Sequence, residues 1–196
     1  DNENDYGYQI IKTNDNGYVI VGEAGNAPND QDVVLIKVDS DGNEIWTKYY
    51  GGGYTDLGFS VYQTSDSGFV ITGYRYGGSS FFVGLFKTDS DGNEQWSKTF
   101  GGSFDDVGRC VKQTADGGYI ITGYTEIMQT GGDVFLIKTD PQGDMLWERT
   151  FHGGTSYDEG WSVDQTTDGG YIITGFKGSV NGDNVWLIKT DSQGNY

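Results

Sequence analysis

An all-β fold of repeated four-stranded sheets is what this sequence predicts, and three observations carry the prediction. First, landmark residues recur with one period. Thr13, Thr64, Thr114 and Thr166 fall 50 to 52 residues apart, Lys37, Lys87, Lys138 and Lys189 fall 50 or 51 apart, and so do Trp46, Trp96 and Trp147. Second, each period holds four short apolar runs rich in Val, Ile, Tyr, Phe, Trp and Thr, the residues that suit a pleated, half-buried surface. Third, no window keeps apolar residues at i, i+3, i+4 and i+7 for long enough to argue a helix. Tandem units of about fifty residues with four antiparallel strands are the pattern of β-propeller blades. A β-solenoid repeats nearer 20 to 29 residues with parallel strands, and a β-sandwich needs no such period.

The elements follow in order, taking the third repeat as the type. Residues 109–113 form the first strand, 119–122 the second, 134–138 the third and 145–151 the fourth. The turn between strands one and two carries Asp116-Gly117-Gly118, matched by Asp66-Ser67-Gly68 and Asp168-Gly169-Gly170, residues that accept positive φ. The link between strands two and three varies (23–31 in the first repeat, 75–80 in the second), as a surface loop on a fixed scaffold does. Asp39 to Asn43 and Asp89 to Asn93 turn the chain between strands three and four. The Trp strand closes the unit, where one large aromatic per repeat is expected to bury area between neighbouring blades. Gly51-Gly52, Gly101-Gly102 and Gly153-Gly154 then mark the crossovers. The resulting reading is one array with blades at about 5–50, 56–100, 106–151 and 158–196, the last without its Trp strand: a four-bladed ring, or half or a segment of a larger one. Residues 1–4 are too few and too polar to supply the missing strand. The expectation is therefore self-association or pairing with the remainder of a longer propeller.

Composition narrows the function classes. The 196 residues carry 29 acidic and only 12 basic side chains, for a net charge of −17. Nucleic-acid phosphates demand Lys and Arg, so nucleic acid is not an expected partner. There is no apolar run of about twenty residues, so no membrane-inserted helix is expected either. The high glycine count, 33 against two prolines, argues turns rather than disorder. The only cysteine, Cys110, and the only histidine, His152, would make a nucleophile and base only if the fold brought them together.

The candidate sites come from positions that break the repeat. One strand-one position reads Tyr8, Phe59, Arg109, Trp161; another reads Ile11, Tyr62, Lys112, Asp164; the flanking Ile10, Val61, Val111, Val163 barely change. Such a set either reads a ligand through aromatics and a guanidinium or is unconstrained. Tyr74, Tyr76, Phe81 and Phe82 form a second aromatic cluster in the second repeat's loop, a candidate carbohydrate or protein contact. Asp39, Asp41, Asp89 and Asp91 place oxygens at alternate positions, as calcium loops do, although the Gly falls fourth rather than sixth. Calcium is the one candidate ion, and no organic cofactor is expected. Asp5, Asp56, Asp106 and Asp158 recur before strand one, either as a ring of carboxylates or as caps on their own crossovers.

The phrases Gly118 to Gly123, Leu136 to Asp140 and Trp147 to Gly154, with their counterparts, resemble a tandem β-propeller repeat of secreted and cell-surface proteins of bacteria and archaea. The turn and Trp at residues 89–96 are also similar to the tryptophan-docking phrase of pyrroloquinoline-quinone-type propellers, from which the chain departs in its Asp-Gly-Asn turn and its single Cys. The resemblance implies a propeller and an extracellular location, and no reaction. The expected function is a non-catalytic surface module that engages protein or glycan. The alternative is a hydrolase or lyase using acidic residues at the propeller channel, which would need an asymmetric carboxylate pair or an open metal position.

Overall fold

The computed structural model describes residues 5–27, 30–127, 131–154 and 156–196. They form fifteen strands in four antiparallel sheets, with no helix among the described residues and so none long and apolar enough to cross a membrane. Each sheet is a meander of consecutive strands. The first holds β1 (Tyr6–Lys12), β2 (Tyr18–Ala27), β3 (Asp30–Val38) and β4 (Glu44–Tyr50), and the second holds β5 (Asp56–Gln63), β6 (Phe69–Tyr76), β7 (Phe81–Thr88) and β8 (Glu94–Phe100). The third holds β9 (Asp106–Gln113), β10 (Tyr119–Ile127), β11 (Gly131–Thr139) and β12 (Met145–Phe151), and the fourth holds β13 (Asp158–Gln165), β14 (Tyr171–Lys177) and β15 (Asn184–Thr190). The chain divides into two compact units, Asp1–Phe100 with the first two sheets and Gly101–Tyr196 with the last two. Residues 1–4, expected to be too short for a strand, lie outside the described residues.

Two expectations about boundaries need correction. The link at 23–31 is mostly strand: Glu23, Ala24 and Gly25 pair with Val33, Asp32 and Gln31. Likewise Arg75 and Tyr76 continue β6, so Tyr74, Tyr76, Phe81 and Phe82 lie on two paired strands rather than in a loop. The first strand of the third repeat starts at Asp106, not Arg109, because a β-bulge carries the pairing through Val107 and Gly108. Polar and glycine residues masked these strand ends, since backbone pairing does not require apolar side chains.

The turn between the first two strands of each sheet is built the same way four times. Thr13, Thr64, Thr114 and Thr166 each donate N–H to a glycine carbonyl four residues on, at 2.9 Å. The residue before that glycine takes positive φ, at Asn16 (66°), Ser67 (67°), Gly117 (83°) and Gly169 (82°). Asp15, Asp66, Asp116 and Asp168 accept from the Thr hydroxyl and the closing glycine N–H. The landmark lysine then locks the turn from the third strand. Lys138 Nζ lies 3.0 Å from the Asp116 carboxylate and donates to the Thr139 carbonyl at 2.7 Å. Lys37, Lys87 and Lys189 do the same with Asp15, Asp66 and Asp168. The first three ammonium groups are buried, where Lys37, Lys87 and Lys138 pair with Trp46, Trp96 and Trp147 across the ladder; Lys189, on β15, is 43 % exposed. A charged donor to a buried carbonyl is worth about 1.5–3 kcal/mol. Lys138→Met, which keeps the stem and removes the charge, is expected to lower stability by about 2–3 kcal/mol in urea unfolding.

The core of each unit lies between its two sheets. In the first, Val19, Val21, Val33 and Leu35 meet Val61, Phe69, Ile71 and Phe86. In the second, Ile120, Val134 and Leu136 meet Val163, Tyr171, Ile173 and Ile188. Close approach is set by glycine: a Cβ on Gly58 would lie 2.7 Å from both Val21 and Val33, and one on Gly160 would lie 2.5 Å from Thr122 Oγ1. The Trp strands bridge the sheets as expected. Trp46 meets Phe69 edge-on with centroids 6.1 Å apart, and Trp147 meets Tyr171 at 5.8 Å. Trp96 is half-buried.

Candidate functional site

Tyr8, Phe59, Arg109 and Trp161 share a backbone feature. In every sheet the pairing of strands one and two slips by one residue, between Gly7 and Gln9, Gly58 and Ser60, Gly108 and Cys110, and Gly160 and Ser162. The residue skipped is Tyr8, Phe59, Arg109 or Trp161 in turn. A bulge leaves one residue outside the ladder and re-aims its side chain. One of the strand-one positions that differ in every repeat is thus the one set outside the ladder. The partner strand carries glycine opposite each bulge because nothing larger fits. A Cβ on Gly22, Gly73, Gly123 or Gly175 would fall 1.9, 1.7, 1.9 or 1.9 Å from the carbonyl oxygen of Tyr6, Leu57, Val107 or Glu159.

In the first unit the displayed rings run on into a line of six. Tyr8 meets Phe59 at 4.9 Å between centroids, Phe59 meets Tyr74 at 5.8 Å, and Tyr74 meets Phe81 at 4.5 Å. Phe81 meets Tyr76 at 5.4 Å, and Tyr76 meets Tyr54 at 5.8 Å. Tyr8 is 44 % exposed. Its hydroxyl donates to Glu23 Oε1 at 2.8 Å, and burial together with that carboxylate pushes the phenol up. Glu23 is only 5 % exposed; burial pushes its carboxyl up, and its Oε2 has no hydrogen-bond partner among the described residues. Tyr62 lies further along β5, half-buried and paired with Val70.

The second unit has a shorter line, with Trp161 and Phe176 at the positions of Phe59 and Tyr74. Trp161, 59 % exposed, meets Phe176 at 5.6 Å, Phe176 meets Tyr157 at 5.8 Å and Tyr157 meets Tyr124 at 5.0 Å. The line ends in a cation: the Arg109 guanidinium lies 5.7 Å from the centre of the Tyr124 ring and pairs with the buried Glu159. Sequence reading flagged Tyr8, Phe59, Tyr74, Tyr76, Arg109 and Trp161, and the fold brings each of them into one of these lines. It missed Glu23, Tyr124 and Phe176, which lie across the strand pair from the residue two before each bulge, and Glu159, Tyr54 and Tyr157, on β13 or just ahead of β5 and β13.

The Asp-rich turns have work to do within the fold. Asp39 accepts the N–H of Asp41 and of Asn43 at 2.9 Å on one oxygen and the Asn43 side chain at 2.9 Å on the other. Asp89 does the same with Asp91 and Asn93. These bonds pull both carboxyls below their usual range. Asp41 and Asp91 are exposed beside them. The turn glycine receives the preceding sheet: a Cβ on Gly92, at φ +74°, would sit 2.9 Å from the Trp46 ring, and the Gly92 carbonyl accepts the Tyr50 hydroxyl at 2.7 Å. Gly194 meets Trp147 in the same way. Among the described residues, no three His, Cys, Asp or Glu side chains cluster as a metal would need.

The recurrent aspartates before strand one cap backbone. Asp106 accepts from Gly102 N–H at 2.8 Å, and Asp158 from Gly153 and Gly178 N–H at 2.6 and 2.8 Å. Asp5 accepts from Gly25 N–H at 3.3 Å. Asp56 is buried 3.6 Å from Arg75 Nε, and burial outweighs that cation to push its carboxyl up to about 6. The folded chain therefore holds this proton more tightly than the unfolded chain, whose Asp titrates near ~3.9. The stability involved is fully present below about pH 4 and is lost as pH rises through about 6, on the order of 3 kcal/mol from this group. Buried Asp106, Asp133 and Glu23 are shifted in the same direction. Asp56→Asn is expected to flatten the decline between pH 4 and 7, measured as urea midpoints across that range.

Cys110 and His152 serve separate roles. The Cys110 thiol is buried against the Val163 carbonyl at 3.9 Å, while the exposed His152 places Nδ1 2.9 Å from a carboxylate oxygen of the fully buried Asp133. No family of known proteins and no curated protein matches the chain.

Proposed function

We propose that the four sheets are successive blades of a β-propeller and that the chain is a non-catalytic extracellular or cell-surface module that engages a protein or glycan through its bulge-displayed aromatic lines. The observation that carries this reading is the coincidence at Tyr8, Phe59, Arg109 and Trp161: one of the strand-one positions that differ in every repeat is the one the bulges present, and each residue there touches further rings or an ion pair. Exposed aromatic faces supply large, rigid contact area at low entropic cost. The net charge of −17 favours solubility and disfavours anionic partners. The extracellular location rests on the resemblance of the repeat phrases to secreted propellers.

The binding test is retention on combined glycan and peptide arrays by the wild-type chain and by a Tyr8→Ala, Trp161→Ala chain. Retention that falls at least tenfold in the variant is expected; equal retention would sink the reading. Small-angle scattering tests the blade arrangement separately: a closed compact particle of this length has a radius of gyration of about 16 Å, and a markedly larger value would rule the ring out.

A further inference from the structure

Each aromatic line has one buried carboxylate beside it, and the two sit at different places in the repeat: Glu159 lies two residues before the bulge residue on β13, and Glu23 lies on β2, paired with Tyr6. In the second unit a carboxylate buried beside the rings, Glu159, is neutralised by Arg109, whose guanidinium also lies over Tyr124. In the first unit the carboxylate buried beside the rings, Glu23, has only the Tyr8 phenol, and no basic side chain pairs with it among the described residues. The bulge residue that supplies the cation in the third sheet is tyrosine in the first. We propose that Glu23, Tyr8 and Phe59 form a recognition site for one cationic side chain, arginine or lysine, of a protein partner, which takes the role that Arg109 plays internally in the second unit.

Three features of the site select this occupant. A buried carboxylate oxygen without a donor costs desolvation that a charged N–H donor offsets far better than a neutral hydroxyl. Faces of Tyr and Phe attract a cation through the ring quadrupole, more so where water is excluded. The chain's charge of −17 favours encounter with a basic protein surface. Tyr8, half-exposed and bonded to Glu23, is the side chain past which the cation reaches the carboxylate.

The site rests on the aromatic lines being binding surfaces, and one experiment separates the two claims. Amide chemical shifts of the whole chain are followed during titration with N-acetyl-arginine amide and with its neutral isostere N-acetyl-citrulline amide. The expected result is saturable shifts around Tyr8, Glu23 and Phe59 with the arginine compound, at least tenfold weaker with citrulline and at least tenfold weaker in Glu23→Gln, which preserves shape and an acceptor for the Tyr8 hydroxyl. Equal response to the two compounds, no response to either, or indifference to Glu23→Gln overturns the cation site. If array retention still depends on Tyr8 and Trp161 in that event, the surfaces bind a neutral partner and only the cation assignment falls; if it does not, both fall.

Discussion

Gly73→Ala is expected to cost about 3 kcal/mol or more, the upper end of what overpacking does to a well-packed site. The added Cβ would fall 1.7 Å from the Leu57 carbonyl oxygen, 2.7 Å from its carbon and 3.0 Å from the Gly58 Cα. All three are backbone atoms, so no side chain can rotate away. Gly73 is central in its sheet, paired with Gly58 on one side and Gly84 on the other. Leu57 cannot retreat without removing the bulge at Phe59. Removing it would slip one part of β5 by one residue against β6 and turn its apolar face outward. The variant should therefore unfold at much lower urea concentration, and whatever remains folded should no longer display Phe59 beside Tyr8 and Tyr74. Loss of less than about 1 kcal/mol would mean that the strand pair carries no bulge.

Trp46→Ala is expected to cost about 3 kcal/mol, the lower end for a truncated large aromatic because the ring is half-buried. Beyond its own sheet the ring meets Phe69 edge-on and the Gly92 turn beneath it. That turn is also held by Tyr50 through the Gly92 carbonyl and by Lys48 Nζ to Asn93 Oδ1 at 3.1 Å. Deleting the indole leaves a gap between two sheets that the polar contacts hold apart, so collapse cannot fill it. Trp46→Phe should recover roughly half of the loss, since it restores the ring contact but not the reach to Gly92. A loss below about 1 kcal/mol from Trp46→Ala in chemical denaturation would contradict the intersheet role.

Both residues are repeat landmarks, and landmarks are what the sequence makes legible. A Thr, Lys or Trp doing one job per sheet returns at one period, which is why the four meanders and their order could be read directly. The job itself was hidden. Lys138 acts on Asp116, 22 positions earlier, and a pairing at that distance shows only once β9, β10 and β11 are folded side by side. The alternating oxygens of the Asp-Gly-Asn turn were legible, but not that Asp39 and Asp89 accept N–H groups of their own turns or that Gly92 leaves room for Trp46. The candidate site was half legible. Variation singled out Tyr8, Phe59, Arg109 and Trp161, but a bulge is a count between two strands and has no signature in either one alone. For the same reason Glu23, 15 residues from Tyr8, passed for part of a loop.

The central claim is a division of labour: repeated residues hold the sheets, and bulge residues face outward for a partner. Urea unfolding of Trp161→Ala beside Gly73→Ala tests it most directly. The account predicts that removing this ring, 59 % exposed, changes stability by about 1 kcal/mol or less, as surface substitutions do, while the single added methyl at Gly73 costs about 3 kcal/mol or more. A Trp161→Ala chain as unstable as Gly73→Ala would show that the displayed aromatic is part of the core and would contradict the claim.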